Sequence, residues 1–235
     1  FSNNDSLVDA TKDFFSALNI PYQVISTADY KATDFFEKTD KYNDKITKIN
    51  TVALIDEKAL NNQFEELDSD TLRAADKYDA IGVFAVELLE TNPTRTTLVE
   101  ITRAINREME AFPVAVILKY GDFIALASTE RSDYKSTNRS GEKVGKVSII
   151  RDIDTLNTHP GHLQILQELS IQRTGTKAIK TFDELYKYWY SVFNVSLLNK
   201  KFYQELSNWY FWALREVKFP NAPNQFELGL DDDKF

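Results

Sequence analysis

The sequence predicts an α+β or α/β fold, in which a mixed sheet of about five strands carries a packed helix and is followed by a helical C-terminal block. Two observations favour this class. Short runs rich in β-branched and aromatic residues, which are typical of buried strands, lie before residue 155. After that point, apolar residues recur at three- and four-residue steps, as they do in amphipathic helices.

Five segments before residue 155 have the composition of strands. Between the second and the third lies a helix, Thr97–Met109, with Leu98, Ile101 and Ile105 on one face. We therefore predict one sheet over residues 49–128, with this helix packed on it. The predicted strands are Ile49–Ile55, Ile81–Leu88, Val114–Leu118, Phe123–Ala127 and Val144–Ile150.

Further helices are predicted from apolar periodicity and from start signals. Thr181 and Glu184 have the spacing of a capping box, in which each side chain bonds the backbone amide of the other residue. The charged stretch Glu57–Lys77 is also predicted to be helical. The remaining predicted helices are Ser6–Leu18, Gly161–Ile171, Thr181–Phe193 and Leu197–Val217.

These elements divide the chain into three predicted parts. Residues 1–155 form a sheet-containing domain, and residues 156–220 form a helical subdomain. Residues 221–235 are polar, end in DDDKF and are predicted to be a tail or linker.

The composition excludes several classes of function. None of the 235 residues is Cys, so disulfides, a thiolate zinc site and a cysteine nucleophile are excluded. No apolar run approaches the roughly 18 residues of a membrane span, and no signal peptide is evident, which favours a cytoplasmic protein. The net charge of −8 argues against nucleic-acid binding over the whole surface, because phosphate contacts need Lys and Arg.

Several stretches between about residues 80 and 220 resemble one family when they are taken in order. The family is the large type II restriction-modification proteins, in which modification and cleavage share one polypeptide, and the resemblance is to the region upstream of the methylase. The last stretch is the most specific. The stretches are VFAVELLE, TLVEITRAINREMEAFPVAVILKYGDFIALA, KVSIIRDID, HPGHLQIL and LNKKFYQELSNWYFWALREVKFP.

The resemblance implies adenine methylation with S-adenosylmethionine for the whole protein. That chemistry needs a glycine-rich cofactor loop and an Asn-Pro-Pro-Tyr type motif that grips a flipped base. This chain has neither, because Asn92–Pro93 continues as Thr94–Arg95. We therefore expect the methylase downstream, no cofactor in this chain, and a non-catalytic N-terminal module that scaffolds or positions the methylase on DNA.

The alternative is a divalent-metal DNA endonuclease domain of the same enzyme, with a restriction-endonuclease-like fold. Such sites place an Asp and a Glu on neighbouring strands to hold Mg²⁺, with a Lys two residues after the Glu. Asp56 and Glu87 are the candidate metal ligands, but Leu89 stands where the Lys is needed, and Lys119 could replace it only from the next strand. Alternatively, Asp56 merely ends a strand and Glu87 pairs with a residue such as Arg103.

The predicted loop Arg131–Lys146 is basic, although the chain as a whole is acidic. Its cations are opposed only by Asp133 and Glu142. It is either a solvated loop or a surface that contacts DNA phosphates. The candidate DNA-binding residues are Arg131, Lys135, Arg139, Lys143 and Lys146.

Two further features have competing interpretations. His159 and His162 could present two imidazoles to a metal, but without an evident third ligand we favour packing at a helix start. Lys200–Trp212 combines Lys with Tyr and Trp, as single-strand-binding proteins do. Its aromatic residues surround most of a helix, which favours core packing or docking on the methylase.

Overall fold

A mixed sheet organises the first 194 residues, and within the described part of the chain it has eight strands. The strands are β1 (Gln23–Ile25), β2 (Asp29–Tyr30), β3 (Ile46–Asp56), β4 (Glu66–Leu67), β5 (Ala80–Leu88), β6 (Val114–Tyr120), β7 (Phe123–Asp133) and β8 (Glu142–Asp154). The computed structural model describes residues 1, 6–26, 29–37, 40–68, 79–109, 111–133, 142–193 and 195–217.

The described residues also form seven helices, of which two are single turns. None of them is long and apolar enough to cross a membrane. They are α1 (Leu7–Ala17), α2 (Ala32–Phe35), α3 (Glu57–Leu60), α4 (Arg95–Glu108), α5 (Pro160–Glu168), α6 (Phe182–Phe193) and α7 (Val195–Glu216).

The sheet order is β4-β1-β3-β5-β6-β7-β8, and β2 pairs with β3 beside that path. β5 and β6 are parallel and are connected through α4, whereas β3–β5, β6–β7 and β7–β8 are antiparallel. The five predicted strands all belong to this one sheet, which confirms the single sheet predicted over residues 49–128. The sheet is larger than predicted, because β1, β2 and β4 are too short to produce a periodic pattern.

Helix α4 covers one face of the sheet. Thr94 caps its first turn by accepting a hydrogen bond from the Thr97 amide at 3.1 Å. Leu98, Ile101 and Ile105 are fully buried against Phe84, Val116 and their neighbours on that face. The helix predicted over Thr97–Met109 is therefore confirmed, including its buried side.

The opposite face of the sheet is covered by α1, α5 and α6. Phe15 of α1 and Trp189 of α6 meet there with their ring centroids 5.9 Å apart, both buried among strand residues such as Ile55 and Val83. Because α5 and α6 share this core, the compact unit runs from Phe1 to Asn194, and the domain boundary predicted at residue 155 is not observed. The second unit is Val195–Phe235, and the predicted tail at 221–235 lies outside the described residues.

Local signals at helix ends had different outcomes. The capping box is present: the Glu184 amide donates to Thr181 Oγ1 at 3.3 Å, and the Thr181 amide donates to Glu184 Oε2 at 3.2 Å. The long helix predicted over Glu57–Lys77 is wrong for its described part. Helix α3 ends after one turn, because Asn62 adopts a left-handed conformation with φ of 59° and β4 follows.

Asn106 ties the end of α4 to the connection that leads into β6. Its buried Nδ2 donates to the carbonyl oxygen of Phe112 at 2.7 Å. Asn106→Ala removes this buried hydrogen bond, so we expect the free energy of unfolding to fall by about 1 kcal/mol. Urea unfolding measures the loss.

Asn61→Ala is the matched control, because Asn61 Nδ2 also donates to a helix carbonyl but is exposed. We expect a change within about 0.5 kcal/mol for this control. Equal effects of the two substitutions would show that the Asn106 bond does not hold the α4–β6 connection.

Candidate functional site

Strand register separates the two predicted metal ligands. Asp56 pairs with Ala80, whereas Glu87 pairs with Lys48 at the other end of the β3–β5 ladder. Glu87 lies seven residues further along β5 than Ala80, which at about 3.3 Å per residue is roughly 23 Å. Asp56 and Glu87 therefore cannot hold one Mg²⁺, and the predicted metal pair is wrong.

Asp56 has a structural role at the end of β3. Its Oδ1 accepts the Ala59 amide at 2.8 Å, which caps α3, and it also accepts Gln23 Nε2 at 3.2 Å. The side-chain amide of Gln23 also donates to the Gln63 carbonyl through Nε2 and accepts the Glu65 backbone amide through Oε1. The interpretation that Asp56 merely ends a strand is the one that the geometry supports.

Glu87 lies in a row of charges across three neighbouring strands. The register places it between Lys48 on β3 and Lys119 on β6. Lys119, the candidate replacement for the missing Lys, thus pairs with Glu87 from the next strand. Glu87 is exposed and shares its face of β5 with Val83 and Ala85 rather than with the residues under α4.

Arg103, the partner suggested for Glu87, lies on the opposite side of the sheet from Glu87. Arg103 belongs to α4, which covers the opposite face, and its charge acts on Glu100 of the same helix. The alternative pairing of Glu87 with Arg103 is therefore not found. Within the described ranges, no three His, Asp or Glu side chains come together in a way that could hold a metal ion.

The predicted basic patch is described only in part. Lys135 and Arg139 lie outside the described residues, and of Lys143 only the backbone in β8 is described. Arg131 reaches back to the Met109 carbonyl at 3.4 Å, near the end of α4.

Lys146 lies on β8, the second strand of the β7–β8 hairpin, whereas Arg131 lies on β7. Burial raises the pKa of Glu130, and the charge of Lys146, which lies near that carboxyl, acts in the opposite direction. Glu130 lines a pocket under α6, whereas Arg131 reaches the end of α4 on the other face of the sheet. The two described cations of the patch therefore do not converge, and contact with DNA phosphates stays a prediction.

The two histidines stand at the start of α5. His159 caps that helix, because its Nδ1 accepts the Gly161 amide at 3.1 Å, with Pro160 in the first turn. The ring of His162 lies 6.3 Å from that of His159, measured between centroids. Burial, and secondarily the charge of His159, lowers the pKa of His162. Packing at a helix start is thus the role that the geometry supports.

Tyr120 and Asp152 form a pair that sequence reasoning missed. The Asp152 amide donates to Tyr120 Oη at 2.9 Å, and the Tyr120 hydroxyl donates to Asp152 Oδ1 at 3.1 Å. Burial raises the pKa of Tyr120 to about 12, so this phenol is not a base at neutral pH. Asp152 has a φ of 59°, which a non-glycine residue adopts only when its surroundings hold it there. The pair fastens the end of β6 to β8.

Helix α7 exposes its aromatic surface. Trp209 is 60% exposed and Trp212 is 56% exposed. Among the apolar residues at helical spacing in the predicted helix Leu197–Val217, Leu206, Trp209 and Val217 are exposed and Ala213 is half-buried. Core packing is therefore not observed for residues 203–217, although the helix itself is confirmed.

Comparisons of this chain with protein-family models, with curated proteins and with solved structures find no match. The geometry of the described residues is consequently what bears on function. It offers no joined pair of carboxylates at Asp56 and Glu87, and it offers one strongly apolar exposed surface on α7.

Asp56→Ala and Glu87→Ala should affect stability differently. Loss of a helix cap typically lowers the free energy of unfolding by about 1 kcal/mol, so we expect that result for Asp56→Ala. Glu87 is exposed, so we expect Glu87→Ala to change the free energy by less than about 0.5 kcal/mol.

Neither substitution should alter the response to a divalent cation. Thermal unfolding with and without millimolar Mg²⁺ or Mn²⁺ tests this, together with long incubations on plasmid DNA. A metal-dependent rise in Tm, or DNA cleavage, that disappears in both variants would contradict the separation of the two carboxylates.

Folding stability should fall as the pH drops below about 6.5, the ordinary pKa of His. In that range the unfolded chain protonates His162, whereas burial keeps the folded-state pKa lower, so the unfolded state binds more protons. The loss continues until the pH passes the folded-state pKa. Urea unfolding across this range, with His162→Gln, measures the contribution.

His159→Gln serves as the control for that measurement. It removes the helix cap at His159 Nδ1, yet it should retain most of the slope, because burial is the main cause of the shift in the pKa of His162. Identical slopes for the wild type and His162→Gln would show that His162 does not supply the pH dependence.

Proposed function

We propose that this chain is a non-catalytic N-terminal module of a DNA restriction-modification enzyme, and that it uses α7 to dock the adenine methylase of the same polypeptide. The exposed aromatic surface of α7 carries the proposal. The family resemblance, which is most specific in the sequence of this helix, supplies the identity of the partner.

An exposed helix surface of this composition is typical of an interface. Tyr and Trp are enriched at protein–protein contacts because they bury a large area with few rotatable bonds. Tyr203, Trp209 and Tyr210 are between 53% and 65% exposed, and Trp212 and Phe211 lie beside them. Isolated apolar residues on a surface need no explanation, whereas five large aromatic residues exposed on one helix indicate a binding site.

Charge among the exposed aromatic residues of α7 favours a protein partner over DNA, although Lys200 and Lys201 precede them in the helix. Residues 203–217 contain Arg215 as their only cation, against Glu205 and Glu216. Single-strand binding through stacked aromatic residues normally adds cations that follow the phosphate backbone. The aromatic residues are therefore better suited to an apolar protein surface.

The endonuclease alternative loses its main support in strand register. Two metal-binding carboxylates must lie within a few ångströms of one ion, whereas Asp56 and Glu87 lie at opposite ends of their ladder. The chain order β3, β5, α4, β6 still supports a nuclease-like origin for the sheet. We propose that the sheet now serves as a scaffold.

Trp209→Ala should weaken docking of the methylase. A central aromatic residue at an interface commonly contributes at least 2 kcal/mol, which corresponds to about a 30-fold rise in Kd. The experiment titrates the 235-residue chain with the methylase domain encoded after Phe235 in the same reading frame, using calorimetry.

Leu156→Ala is the matched control, because Leu156 is 70% exposed but belongs to the first unit. We expect its Kd to equal that of the wild type. The proposal fails if the reading frame encodes no methylase, if that domain does not bind, or if Trp209→Ala binds as tightly as the control.

A further inference from the structure

A small pocket lies between α6 and the strands that α6 covers. Ser148 of β8 and Glu130 of β7 line it from the sheet, and Trp189, Tyr186 and Phe193 line it from the helix. All of these residues belong to the first compact unit. The pocket is therefore internal to the joint between the helix and the sheet.

Two polar atoms in this pocket are buried without a partner. Ser148 is 2% exposed and Trp189 is 3% exposed. Among the described residues, neither Ser148 Oγ nor Trp189 Nε1 has a hydrogen-bond partner. A buried polar group without a partner destabilises a fold, and such groups are commonly satisfied by an internal water molecule.

The pocket has the size for one such molecule. It offers about 10 Å³ to the centre of a water-sized sphere. A single water needs roughly 10–15 Å³ by that measure, so a larger ligand does not fit.

We propose that one ordered water molecule bridges Ser148 Oγ and the Trp189 indole, and so joins α6 to β8. The water accepts the indole N–H and donates to the serine oxygen. Its second hydrogen has an acceptor in Glu130, which lines the same pocket. Two to four partners are usual for internal water.

The same residues exclude an anion from this position. A bound anion would suit the indole N–H and the serine hydroxyl, but it would stand beside the carboxyl of Glu130. Water satisfies the indole N–H and the serine oxygen without adding charge. The occupant is therefore neutral, and it can both donate and accept.

Nuclear magnetic resonance of the 15N-labelled chain observes such a water directly. The Trp189 indole proton should show a cross-peak to a water with a long residence time. Trp209→Phe and Trp212→Phe each remove one of the other indole signals at exposed positions, which identifies that of Trp189 without altering the pocket.

Ser148→Ala gives a change in stability whose sign decides the question. With a bridging water, the substitution removes one partner of that water, so the cross-peak disappears and Tm falls by roughly 2–4 °C. Without a water, it removes a buried unsatisfied hydroxyl, so Tm stays constant or rises.

Thr51→Val is the control for removing a buried hydroxyl in general. Thr51 Oγ1 is likewise buried and unpaired among the described residues, and Thr51 does not line this pocket. We expect no loss of Tm for Thr51→Val. The proposal is overturned if the Trp189 indole shows no cross-peak to water, or if Ser148→Ala is at least as stable as the wild type.

Discussion

Burial of the parallel pair β5–β6 on both faces is the constraint on which the rest of the structure depends. β5 is buried from Ala80 to Val86, and β6 is buried from Val114 to Leu118. A strand covered on both sides must be apolar at every position, which these two runs are. Each face then needs its own cover, and α4 lies on one face while α1, α5 and α6 lie on the other.

The same constraint drives charge to the ends of the strands. Asp56 ends β3, and Glu87 stands near the end of β5, where the cover of helices has finished. Because β3 and β5 run in opposite directions, the late residues of the two strands lie at opposite ends of the ladder. The order of the strands in the sequence suggested that Asp56 and Glu87 form a metal pair, but the antiparallel pairing of β3 with β5 separates them.

Features that depend on local sequence could be predicted, whereas features that depend on pairing could not. Apolar runs identify the central strands, and the Thr181–Glu184 spacing identifies a helix start, because both arise within a few residues. Apolar runs do not determine strand direction or register, so the position of Glu87 in the sheet could not be predicted from them. The contact of Tyr120 with Asp152 joins residues that are 32 positions apart, so no local sequence pattern predicts it.

Helical periodicity shows which residues share a face, but it does not show whether anything covers that face. Trp189 of α6 and Trp209 of α7 both lie in amphipathic helices, yet the first is 3% exposed and the second is 60% exposed. The sheet covers Trp189, because α6 packs on strands that need a cover. Most helical stability in proteins comes from packing an apolar face. The proposed docking role of α7 therefore depends on the exposure of its side chains rather than on their periodicity.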